Sequence, residues 1–187
     1  MRIEELVVEL SKDPFNPKKN FDVAVEYEKQ NQTASAVSFY LRTAEYGGDT
    51  DSLLIYTSLL KMAACFEDQN DRVFTVSNCL LQAITVLPTR PEAYFLLAKF
   101  HEKKGDWQEC YTWATVGLSN LTNDEPPLPA LVGYKGPYCL NFEKAVSAWW
   151  IGRSQESKDL LLELSKIEYM DDEYKVAVKN NRDRLGI

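Results

Sequence analysis

Residues 91–118, PEAYFLLAKFHEKKGDWQECYTWATVGL, read as two helices joined by a tight turn. Pro91 suits the first helical position, where its missing N–H would be unpaired anyway. Tyr94, Leu97 and Ala98 fall on one face of the first helix. Gly105-Asp106 makes the turn, and Cys110, Ala114 and Gly117 form a stripe on the second helix. Ala98 and Cys110 lie twelve residues apart, and Gly117 follows seven later. Small residues at those offsets let two antiparallel helices approach closely.

The same twelve-residue step recurs on both sides, as Ala24 to Ala36 and as Ala145 to Ser157. Thr43 supplies the further small residue after Ala36. A copy from Thr57 to Pro88 fits with one extra residue in its turn, with Ala83 and Pro88 near its end. The remaining punctuation agrees. Ile3, Leu6, Val7 and Leu10 predict a helix that stops at Asp13-Pro14, because the residue before proline leaves the α region. Pro17 opens the next helix, Asn31-Gln32 breaks it, and Gly47-Gly48 ends its partner. Asp51-Ser52 offers a cap for a helix from Leu53 to Phe66, a polar turn spans Glu67 to Asp71, and a helix follows from Val73 to Leu87. Residues 123–137, with Pro126, Pro127 and Pro129, predict a loop. Helices are then expected over Cys139 to Ile151, Gln155 to Ile167 and Glu173 to Leu185. No stretch shows the alternation of a strand, so the fold class is all-α.

These offsets resemble the tetratricopeptide repeat. Tyr27 and Phe66 stand at its first-helix aromatic position and Tyr40 at the second-helix one. The resemblance implies a right-handed α-solenoid of antiparallel helix pairs with a capping C-terminal helix. It also implies a single repeat domain over residues 1–187, with copies near 17–46, 57–88, 91–122 and 138–168 and the capping helix at 173–185. The fourth copy departs from the pattern. Leu164 replaces a small residue, and Trp149-Trp150 is shifted from the aromatic position. A narrower similarity links Arg90-Pro91-Glu92-Ala93, Gly105-Asp106-Trp107 and Ala145 to Trp150 with helical segments accompanying family 2 glycosyltransferases. It implies a sugar-modifying neighbour.

Composition excludes several classes. Net charge is −7, and no cluster of Lys and Arg exceeds Lys18-Lys19 or Lys103-Lys104. Nucleic-acid binding, which depends on neutralising phosphates, is not expected. No apolar run reaches the roughly 18–20 residues of a membrane span. The start, Met1-Arg2-Ile3-Glu4-Glu5, lacks a signal peptide's basic and apolar pattern, and a cytoplasmic location is the expectation. Cys65, Cys79, Cys110 and Cys139 lack metal-ligand spacing and read as core residues. His101 is the single histidine, so no histidine-based metal cluster is available, and it is expected to pack in an aromatic position. Asp49-Thr50-Asp51 has the letters of a nucleotide-sugar metal motif but precedes a helix, and capping by Asp51 or Ser52 is the better reading. Neither cofactor nor catalytic residue is expected.

The family's register implies a concave surface lined by the first helix of each pair. One groove-facing position carries Phe21, Leu60, Phe95 and Phe142, an apolar stripe that either meets a partner or is closed over as core. Lys99 and Glu102 lie beside Phe95 as charges that would set specificity. Asp22 fills a position where carboxylate-gripping relatives carry asparagine, which disfavours capture of a peptide C-terminus. The function expected is a non-enzymatic scaffold binding a protein or peptide. The alternative is an accessory helical region of a glycosyltransferase.

Overall fold

The computed structural model describes residues 2–48, 50–69, 72–122 and 126–187. Asp49 of the Asp-Thr-Asp motif and Asp71 of the polar turn lie outside them. Among the described residues the chain is all-α, with ten helices: α1 (Ile3–Ser11), α2 (Pro17–Lys29), α3 (Thr33–Tyr46), α4 (Ser52–Glu67), α5 (Val73–Val86), α6 (Pro91–Lys103), α7 (Trp107–Ser119), α8 (Pro137–Trp150), α9 (Ser154–Leu164) and α10 (Asp172–Leu185).

Repetition is visible in the turns. The α2–α3, α6–α7 and α8–α9 turns place Asn31, Gly105 and Gly152 at positive φ, 57°, 73° and 83°. In each, the next residue's N–H reaches back to a carbonyl of the first helix: Gln32 to Tyr27, Asp106 to His101 and Arg153 to Ala148, at 2.9, 3.0 and 2.9 Å. This is the Schellman closure, which satisfies orphan carbonyls and needs a left-handed residue. Glycine or asparagine supplies it, so the sequence's apparent helix breakers are conformational requirements.

The small residues lie where the twelve-residue step expects them. Ala24, Ala36, Ala98, Cys110, Ala145 and Ser157 are all fully enclosed, as is Thr43. At Gly117 an added Cβ would stand 2.7 Å from Tyr94 Cβ and 3.2 Å from a Leu140 methyl. Tyr94 Cβ is fixed directly to its backbone and cannot turn aside, so the α6–α7 packing admits only glycine there. The four thiols are free and buried, and burial pushes Cys110 up to about 12 and Cys65 to about 11.

The helices gather into two compact units, Met1–Pro88 with Asp124–Val132 and Thr89–Asn123 with Gly133–Ile187. In the first, α2/α3 packs on α4/α5, and Leu6, Leu10 and Val23 join α1 to the stack. Phe21 meets Tyr40 edge-on at 5.7 Å, and the Tyr40 hydroxyl donates to Glu28. In the second, α6/α7 packs on α8/α9, with α10 against α8 and α9. Glu156 braces three helices there, accepting from the Tyr111 hydroxyl at 2.9 Å and pairing with Lys144 at 3.0 Å.

Two local expectations are corrected. Asp51 holds the N-cap position of α4 without a side-chain cap, whereas Asn16, Asp106 and Asp171 do cap their helices. Helix α9 ends at Leu164 and not near Ile167, because three-residue turn bonds take over. Lys166 and Ile167 donate to Glu163 and Leu164, and the Ser165 hydroxyl donates to Leu162 O.

Candidate functional site

The second unit contains a groove of about 490 Å³ between α8, α9 and α10. Phe142, Val146 and Trp149 follow one another at i, i+4 and i+7, so one face of α8 forms its wall. Trp107 and Trp150 extend that wall as a stacked pair, with ring centroids 5.2 Å apart and planes within 14°. Asn181, Arg184 and Leu185 of α10 close the far side, and Glu102 stands at the edge. Helix α10 is held by Tyr174, whose ring meets Phe142 at 5.3 Å and Tyr138 at 5.4 Å.

The structure separates the expected stripe into two groups. Phe21, Leu60 and Phe95 are enclosed, at 2%, 0% and 4% exposure. Tyr134, from the proline-rich loop, lies 5.6 Å from the Phe95 ring. In the first unit Lys61 reaches the backbone oxygen of Leu131 at 3.4 Å and pairs with Glu28 at 2.5 Å. Phe142 alone of the four is half-exposed and lines the groove. Lys99 and Glu102 are half-exposed but meet each other at 3.4 Å. His101 is partly buried, against Phe100 and 3.2 Å from Asp106.

Lys99 also reaches Glu143 Oε1 at 3.3 Å, within ion-pair range although not in hydrogen-bond geometry. Glu143 is 1% exposed. Burial pushes its carboxyl from the ordinary 4.5 up to about 7; Lys99 and Lys103 pull it down, and Glu102 pushes the same way as burial. Burial would lower the Lys99 pKa, but Glu143 and Glu102 outweigh it and hold it raised. Between pH 4.5 and about 7 the folded chain holds a proton that the unfolded chain has released. The stabilising contribution is therefore complete below pH 4.5 and lost as pH rises through about 7. Relative to Glu143→Gln, the natural chain is expected to lose about 3 kcal/mol across that window. Urea titrations of both proteins from pH 4 upward check this, and parallel profiles would contradict it.

Sequence reasoning missed Trp107, Trp149, Trp150 and the α10 residues as groove lining, whereas Val146 stands one turn past Phe142 in the expected groove-facing register. Trp149 and Trp150 carried a signal, since positions seven and eight after Phe142 share its helix face. The α10 residues carried none, because only packing brings them there. Among the described residues no group of three metal-binding side chains is found. No helix of the described residues is long and apolar enough to cross a membrane.

No family model and no curated protein matches the chain. Solved structures do match its fold. PilW, a type IV pilus biogenesis factor, is 15% identical with a TM-score of 0.67, over 94% of this chain and 73% of that one. A tetratricopeptide protein of Thermus thermophilus is 13% identical with a TM-score of 0.62, over 95% and 87%. A chain of the APC/C hetero-tetramer Cut9-Hcn1 is 12% identical with a TM-score of 0.67, over 99% and 33%. The fold is therefore that of tetratricopeptide proteins, an all-α repeat solenoid. The similarity to glycosyltransferase-associated helices gains no support from them.

Proposed function

We propose that the chain is a non-catalytic scaffold that holds a segment of a partner protein in the groove bounded by Phe142, Trp149 and Trp150. The observation that carries this reading is exposed aromatic surface gathered in a concavity. Trp150 is 61% exposed and Trp149 39%. Tryptophan is the side chain most enriched among residues that dominate protein interfaces. Glu102 and Arg184 place opposite charges at the groove's rim, where they favour correct orientation of the bound segment more than affinity. Of the structurally similar proteins, one is a chain of the APC/C hetero-tetramer Cut9-Hcn1, which agrees with an interaction role for the fold. Phe21, Leu60 and Phe95 are enclosed within their own units, while Phe142, Lys99 and Glu102 are the expected residues that a partner reaches.

The test pairs binding with stability on one variant. Trp150→Ala is expected to weaken the partner by about 2 kcal/mol or more. Its stability is expected to fall by only about 0.5–1.5 kcal/mol, the worth of the lost Trp107 stack. Partners captured by the natural chain are identified by mass spectrometry and then titrated calorimetrically against both proteins. Equal affinities would remove the tryptophan groove from the site.

A further inference from the structure

A second groove lies on the other side of α10, outside the aromatic site. It has a volume of about 540 Å³ and sits between the end of α9 and α10. Four cations line it, Lys166, Lys175, Lys179 and Arg182, against one acid, Glu168. On α10 the spacing 175, 179, 182 puts three of them along one helix face. Its floor is apolar, with Met170 at 3% exposure and Val178 at 2%.

This concentration runs against the chain's charge of −7. Elsewhere many cations are neutralised: Lys12 by Glu9, Lys61 by Glu28, Lys144 by Glu156 and Lys135 by Asp171. In the groove only Lys175 has such a partner, Asp172 at 3.7 Å, a fully exposed side chain. No ion pair joins Lys166, Lys179 or Arg182 to a carboxylate among the described residues. The Arg182 Nε–H is enclosed with no acceptor.

We infer that this groove docks an acidic segment of a partner protein, in which carboxylates flank an apolar side chain. The carboxylates meet Lys166, Lys179 and Arg182, and the apolar group rests on Met170 and Val178. Arg182 offers a forked donor for a carboxylate. Charge complementarity argues for this occupant over other polyanions. Asp171 at the N-cap and Asp172 and Glu173 in the first turn gather acids at the start of the same helix, where they repel a flat anionic membrane or a long phosphate backbone. A short acidic segment lying across α10 avoids them.

The probe is a fluorescein-labelled peptide alternating glutamate with leucine, titrated by anisotropy against the full chain. Saturable binding that weakens as salt is raised is expected. Lys179→Glu is expected to weaken it at least about tenfold, the reach of one reversed charge in a close pair. Because Lys179 is exposed, its melting temperature is expected to match the natural chain; Lys166→Glu provides a second variant with the same expected loss. Trp150→Ala is expected to leave this peptide's binding unchanged, so failure here is distinguishable from failure of the aromatic groove. The inference is overturned if the charge-reversed variants bind equally, or if a glutamate peptide without leucine binds as tightly. It is also overturned if phosphatidylserine vesicles or duplex DNA outcompete the peptide.

Discussion

Phe95→Ala is expected to destabilise the protein by about 3–5 kcal/mol, the usual range for truncating an enclosed phenylalanine. At this chain length that corresponds to a fall in Tm of roughly 10 °C. The reason is geometric. Phe95 is 4% exposed, and Tyr134 lies against it. Truncation leaves a void that the ring's neighbours, Tyr134 among them, fill only in part. Any partner affinity should then fall only through loss of folded protein, and recover at temperatures where both proteins are fully folded. Thermal melts and partner titrations on the same variant check this. An unchanged Tm with lost binding would instead make Phe95 a surface anchor, with the proline-rich loop displaced when the partner arrives.

Glu92→Ala should be comparably damaging, by about 3–5 kcal/mol, because it removes the carboxylate from a buried two-point ion pair. Arg90 and Glu92 form a two-point pair, Nη2 to Oε1 at 2.6 Å and Nε to Oε2 at 3.2 Å. Their side chains are only 4% and 9% exposed. Water cannot replace the lost carboxylate at that depth, which distinguishes this pair from Lys12–Glu9 on the surface, where solvent screens both charges and loss of the pair is expected to matter little. Removing both charges together, as Arg90→Met with Glu92→Leu, is expected to recover part of the loss, since well-packed apolar replacements avoid the desolvation penalty. Denaturant titration of the three proteins measures both effects. A Glu92→Ala variant within about 1 kcal/mol of the natural chain would show that the pair is solvated.

The sequence by itself determined the helices, their pairing and the close-packed seams. Those depend on local physics: helical periodicity, proline and glycine at ends, and small residues where backbones meet. Ala98, Cys110 and Gly117 were legible because close helix approach excludes larger side chains regardless of what lies beyond. Asn31 and Gly105 were legible as breaks because a left-handed residue is a backbone demand. Tertiary structure alone decided which apolar residues stay reachable. Phe95 and Phe142 share one register position, yet Tyr134 lies against the first while the second, packed on Tyr174, still borders an open groove. The difference arises from the proline-rich loop, far from Phe95 in the chain and without helical period, so no spacing rule connects them. The cationic groove depends likewise on α10 meeting the end of α9, which brings Lys166 beside Lys179. Exposure and charge clustering are properties of surfaces, and surfaces form only when segments distant in sequence have packed.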